Sequence, residues 1–144
     1  MKPVAIACDH AGFAMKDALM KALGDKVQWL DLGTHNQESC NYVDFGFEVG
    51  KAISDGRAER GIVICGSGIG ISIAANRYAK VRCALCTDVT MARFSRLHND
   101  ANVLALGARI TGIAVAQECV EVFLNTAFEG GRHQTRIEKL DTGI

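Results

Sequence analysis

Short apolar segments alternate with segments of helical period along this chain, and that alternation constrains the fold more than any other feature. Val4–Cys8 reads as a strand and Phe13–Leu23 as a helix with Met15, Leu19 and Leu23 on one stripe. The pattern then predicts strands over 28–32, 61–65, 82–86 and 103–106, separated by helices over 44–54, 70–77 and 89–97. Thr111 is placed to cap a long helix reaching about residue 124, and Gly130-Gly131 precedes a last helical stretch over 132–140. Strand–helix alternation means right-handed crossovers and a parallel sheet covered on both faces, an α/β fold. No repeat, low-complexity tract or linker divides the chain, so residues 1–144 are expected to form one domain.

Ligands of such sheets bind beyond the carboxyl ends of the strands. Asp9-His10, the segment from Cys65 to Gly70, and Asp88 all fall there. The most informative of these is Ile62-Val63-Ile64-Cys65-Gly66-Ser67-Gly68-Ile69-Gly70-Ile71-Ser72, a buried strand running through a glycine turn into a helix. Glycines at alternate positions let successive amides face one concavity, and the helix adds its positive end. Cys65 beside those amides is expected to have a lowered pKa and to serve as nucleophile or general base. The same amides could hold a developing oxyanion.

A dinucleotide loop is the rival reading, with Asp88 about twenty residues on as a ribose-binding acid. Its third glycine would fall at Ile71, the loop follows the third strand, and the lysine of a P-loop is missing. A nucleotide-binding or sensor domain without turnover is therefore the weaker alternative.

The remaining composition narrows the class. Sixteen basic and 16 acidic residues cancel, which gives no general attraction to nucleic acid or membrane. The apolar run near residues 3–8 is too short for a signal peptide, and none approaches the ~18 residues of a membrane span. Six cysteines without framework spacing fit a soluble, reduced, cytoplasmic setting. Cys83 and Cys86 spell C-x-x-C inside a strand, where residues three apart face opposite sides, so no redox or zinc turn is expected.

His10 and His98 are candidate acid–base or anion-binding groups, although each also fits a plain role at a helix end. Arg132 and Arg136 lie four apart just after Gly130-Gly131. Cations at a helix start oppose its dipole, which points to a bound phosphate gripped by guanidinium forks.

Four motifs in order then carry a resemblance over essentially the whole chain: Cys8-Asp9-His10-Ala11-Gly12, the segment from Ile64 to Asn76, His98-Asn99-Asp100-Ala101-Asn102-Val103-Leu104, and Glu129-Gly130-Gly131-Arg132-His133-Gln134-Thr135-Arg136. Together they resemble the type B ribose-5-phosphate isomerase family, which includes the subunits of galactose-6-phosphate isomerase. The resemblance implies a Rossmann-like, three-layer domain on a five-stranded parallel sheet. It implies a homodimer, or a tetramer of paired dimers, with active sites between subunits. The implied reaction is aldose–ketose isomerisation of a phosphorylated sugar, without metal or other cofactor.

By the same resemblance, Cys65 is the base that moves a proton between C1 and C2 through an enediolate. Ser67 and the amides of Gly66, Gly68, Ile69 and Gly70 stabilise that intermediate. His98 helps open the sugar ring and Asp9 assists. His10, Arg109, Arg132 and Arg136 hold the phosphate, Asn99 a sugar hydroxyl, and the loop carrying Tyr42 lines the pocket. The segments of His98 and of the arginines reach across from the partner subunit. Asn41-Tyr42-Val43 departs from the family's common Asp-Tyr-Pro, and Ser67 stands where threonine is frequent. Ribose 5-phosphate is the first expectation, with allose 6-phosphate, galactose 6-phosphate and a tetrulose 4-phosphate open as alternatives.

Overall fold

The structure, a computed structural model, describes residues 2–143. Five strands form one parallel sheet in the order β2-β1-β3-β5-β4: β1 Val4–Cys8, β2 Trp29–Asp31, β3 Arg60–Cys65, β4 Cys83–Leu85 and β5 Val103–Gly107. The helices are α1 Phe13–Leu23, α2 Tyr42–Ser54, α3 Ile69–Ala75, α4 Val89–Asn99, α5 Ile113–Asn125 and α6 Gln134–Thr142. The expected alternation, parallel sheet and three layers are all present.

Period-two patterning divides the strands between two cores. Ile6, Ile62, Ile64, Leu104 and Leu106 face α1, α4 and α5, where Leu19, Val120 and Phe123 meet them. Ala5, Ala7, Val63, Val103 and Ala105 face α2 and α3 through Val49, Ala52 and Ile71. Each fully buried branched side chain stabilises the fold by about 1.5–3 kcal/mol relative to exposure. The second face is built from smaller residues, and its helices approach closely. A Cβ on Gly46 would stand 2.7 Å from the Ala74 Cβ, and one on Gly50 would stand 2.8 Å from the Tyr78 ring. This tight crossing fixes α3, and with it the glycine loop at its start.

Several boundaries differ from the sequence expectation. Thr111 does not cap α5: Gly112 holds that position with no side-chain bond, and the Thr111 hydroxyl is buried without a hydrogen-bond partner among the described residues. A 3-10 turn, Gly131–His133, precedes α6, so Arg132 stands in the turn and Arg136 in the first helical turn. Strands β2 and β4, each three residues, are the outer strands, where only one neighbour supplies ladder bonds. No helix among the described residues is long and apolar enough to cross a membrane.

Buried Lys16 ties α1 to the loop after β2. Its ammonium donates to Asp31 Oδ1 at 2.6 Å and to the Thr34 carbonyl at 2.7 Å. Asp31 also accepts the Gly33 amide, so the carboxylate and a carbonyl together answer the buried charge. That loop leads on to Cys40 and Tyr42.

Candidate active site

Strand order places a switch point between β1 and β3. The chain leaves β1 toward β2 on one side and leaves β3 toward β4 and β5 on the other, so a crevice opens between the two loops. The turn after β1 packs directly on β3. The Asp9 amide donates to the Ile64 carbonyl at 3.1 Å, and a Cβ on Gly12 would come within 2.7 Å of the same oxygen. Asp9, His10 and the Cys65 loop are thereby brought together.

Asp9 is buried, and its Oδ1 accepts the Gly12 amide at 3.0 Å, so it caps the short 3-10 turn His10–Gly12. The cap was the plain alternative for this residue; no hydrogen bond to Oδ2 is formed among the described residues. His10 Nδ1 accepts the Cys40 amide at 3.1 Å. An accepting Nδ1 carries no hydrogen, so the neutral ring has its proton on Nε2, a donor suited to an anion. The Cys40 contact was not legible in the sequence, because it joins residues thirty apart through an irregular loop.

Cys65 ends β3 with only 4% of its surface exposed, and the Gly68 amide donates to its Sγ at 3.2 Å. The Ile69 amide donates to Ser67 Oγ at 3.2 Å. The amides of Gly66, Ser67 and Gly70 make no hydrogen bond among the described residues. They are the donors with which an anion could be met.

The three glycines act for different reasons. Gly68 alone has left-handed backbone, with φ +77, and a Cβ there would strike Leu85 and the β5 backbone at 2.6–3.0 Å. Gly66 and Gly70 are needed for space: Arg109 Nη1 lies 3.2 Å from a Cβ at the first, and the Tyr42 ring 2.5 Å from one at the second. Arg109 is held there by its own amide, which donates to the Gly66 carbonyl at 2.9 Å. Tyr42 opens α2 over Gly70. Asn41 caps that helix by accepting the Val43 amide at 2.9 Å, a donor that a proline at 43 would lack.

Four other thiols lie in a different setting. Burial pushes Cys8 and Cys119 up to about 11 and Cys86 up to about 12, and it raises Cys83 as well. Cys86 belongs to one core and Cys83 packs on the other, so the C-x-x-C pair faces opposite sides of the sheet. Asp88, the ribose-binding acid of the rival reading, caps α4 by accepting the Met91 amide at 2.8 Å.

A second group of candidate residues lies elsewhere. His98 and Asn99 end α4, whose 11 residues span about 16 Å from the carboxyl edge of the sheet toward its other edge. His98 is stacked between Phe94, at 4.9 Å between centroids, and His133, at 4.6 Å. The turn bearing His133 is held to the same helix end, where the Glu129 amide donates to the Leu97 carbonyl at 3.1 Å. Arg132 and Arg136 are exposed on this segment, and neither forms an ion pair among the described residues. Within one chain, then, the candidate residues fall into two clusters: Asp9, His10, Tyr42, Cys65 to Gly70 and Arg109 in one, His98, Asn99, Arg132 and Arg136 in the other. Phe94 and His133 are the members that sequence reasoning missed. Both lie one helical turn from His98 or opposite it, contacts that only the folded chain reveals. A groove of about 660 Å³ lined by Lys2, Asp25, Arg60 and Glu121 contains no residue of either cluster.

A doubly wound α/β chain with a thiol beside an amide-lined anion hole defines a class suited to proton transfer on an anionic substrate. The family follows from comparison with known proteins. A model of the Ribose/Galactose Isomerase family matches residues 4–140, and the chain belongs to that family. It is similar to ribose-5-phosphate isomerase B of Escherichia coli K12, with 42% identity over 141 residues, 97% of this chain and 95% of the relative. Among solved structures, ribose-5-phosphate isomerase B of Clostridium thermocellum superposes with a TM-score of 0.95 at 47% identity, covering 99% of this chain and 96% of that one. The Mycoplasma genitalium enzyme, solved with bound ribulose-5-phosphate, gives 0.91 at 36% identity over 96% and 93% of the two chains.

Proposed function

We propose that this chain is a sugar-phosphate aldose–ketose isomerase that interconverts ribose 5-phosphate and ribulose 5-phosphate in a site shared by two subunits. The observation that carries the reading is the Cys65 thiol at the mouth of a loop with three uncommitted amides, beside Asp9, His10 and Arg109. The named activity of relatives at 42% and 47% identity supports the substrate.

In this reading His98 of one subunit, assisted by Asp9 of the other, moves the ring proton that opens the furanose. Cys65, as thiolate, removes the proton from C2 of the open aldose. Negative charge develops on the oxygen at C1 and is met by the amides of Gly66, Ser67 and Gly70, with Ser67 Oγ beside them. The same thiol returns its proton to C1 while a hydroxyl proton passes from O2 to O1, which completes the ketose. His10 through Nε2, Arg109, Arg132 and Arg136 hold the phosphate, Asn99 a sugar hydroxyl, and Tyr42 bounds the pocket over Gly70. One base serves both carbons because they are adjacent, and a rigid anion hole lowers the barrier without rearranging.

The separation of the two clusters supports a homodimer, because a single chain holds them at opposite ends of α4. Six free thiols support a reducing cytoplasmic setting. The test is a panel of pentose, hexose and tetrose phosphates in deuterated water, scored for isomerisation and for deuterium entering the product. Ribose 5-phosphate should turn over with the highest kcat/KM and acquire deuterium from solvent. Preference for a hexose or tetrose phosphate would move the substrate within the family. Tight nucleotide binding with no exchange at any sugar would overturn the isomerase.

A further inference from the structure

We propose that His98, Glu129 and His133 form an inhibitory site for a divalent transition-metal ion of zinc's class. One ligand atom from each residue lies within 4.8 Å of the other two. His133 Nε2 and Glu129 Oε1 are 3.7 Å apart, too far for a hydrogen bond. The His133 side chain is buried, and its Nε2 has no hydrogen-bond partner among the described residues. A buried imidazole nitrogen in that state leaves either a hydrogen or a lone pair unanswered, which native interiors rarely tolerate. An ion held jointly with Glu129 and His98 answers it.

The donor set selects the ion. Two imidazoles and one carboxylate form the three-ligand pattern that zinc uses when a fourth position stays open. Calcium and magnesium prefer oxygen ligands throughout and are disfavoured by a site with two nitrogens. Bond lengths near 2 Å in tetrahedral geometry put ligand atoms roughly 3.4 Å apart, so atoms within 4.8 Å of one another must close by up to about 1.4 Å. Glu129 can supply much of that movement, because it is exposed and is followed by Gly130 and Gly131, both at positive φ. The rings of His98 and His133 are stacked within 20° of parallel, so the half-buried His98 ring must turn out of the stack to aim its lone pair at the ion. Arg132 and Arg136 are exposed and can turn outward, but their charge opposes a cation, while Glu129 offsets part of it. Binding should therefore be weaker than in a structural zinc site.

The consequence rests on the proposed function, in which His98 opens the sugar ring. An ion on His98 occupies the nitrogen lone pair needed for proton transfer and turns the ring away from substrate. Isomerisation should stop on zinc addition and return with a chelator.

Metal-free protein titrated with cobalt(II), read by visible absorption, tests the site without reference to activity. Zinc competition and the isomerase assay follow on the same samples. The expected result is one ion per chain, a spectrum without thiolate charge-transfer bands, and inhibition reversed by chelation. Glu129→Gln, an exposed change, should weaken binding by about tenfold or more and leave catalysis in metal-free buffer unchanged. Absence of stoichiometric cobalt binding, thiolate bands in the spectrum, or equal binding by Glu129→Gln would overturn the site. Cobalt binding by a protein without isomerase activity would preserve the site and remove the function; an active isomerase that binds no cobalt would do the reverse.

Discussion

Replacing Cys65 with alanine should lower kcat for isomerisation by about 10³-fold, the middle of the range for loss of a positioned general base. KM should change only a few-fold. The phosphate anchors lie on other segments, and the Gly66, Ser67 and Gly70 amides keep their places because Gly68, at φ +77, sets the loop. The fold should survive, since removing one sulfur from the second core costs on the order of 1 kcal/mol. Cys65→Ser makes the comparison sharper. It keeps an acceptor for the Gly68 amide but offers a hydroxyl, a far weaker source of a basic anion, so it should be about as slow as alanine. Steady-state kinetics with equilibrium binding of ribose 5-phosphate check both variants. A Cys65→Ala protein within a few-fold of wild type would remove the thiol from the mechanism.

The second large effect should come from Arg132 and Arg136. Charge-assisted bonds of this kind contribute roughly 1.5–3 kcal/mol each, about ten- to a hundredfold in affinity. Arg136 stands in the first turn of α6, which contains no acidic residue, so its charge opposes the helix dipole until an anion arrives. The double alanine variant should lose about 10³-fold in kcat/KM, chiefly through KM. Competitive inhibition by inorganic phosphate should weaken in step. A double variant with wild-type KM would place the phosphate elsewhere.

Much of this molecule is legible in its sequence, for physical reasons. Strands buried on both faces, such as Val4–Cys8 and Val103–Gly107, read as continuous apolar runs, and α1 spans the Phe13–Leu23 segment that its Met15, Leu19 and Leu23 stripe predicts. The placement of Cys65 was legible because it sits at the junction of a recognisable strand and a glycine turn. The individual reasons for those glycines were not. Gly66 and Gly70 are set by Arg109 and Tyr42, which arrive from 43 and 28 residues away in sequence. The cap of α5 was misplaced by one residue, since Thr111 has the right side chain but its backbone amide is used by Gly107. The start of α6 was misplaced because a 3-10 turn has nearly the same apolar spacing as a helix. His133 and Phe94 escaped notice because stacking on His98 depends on how α4 meets a distant turn, which no local pattern encodes.

The two clusters separated by α4 should complete a site only across a subunit boundary. Coexpression of Cys65→Ala and His98→Asn chains, each nearly inactive alone, tests it most directly. Random pairing makes half the dimers mixed, and each mixed dimer has one site with both native residues, so activity should recover to about a quarter of wild type. Recovery near that level is the predicted result. Mixed dimers, purified through two different tags, that remain as inactive as their parents would contradict the shared site.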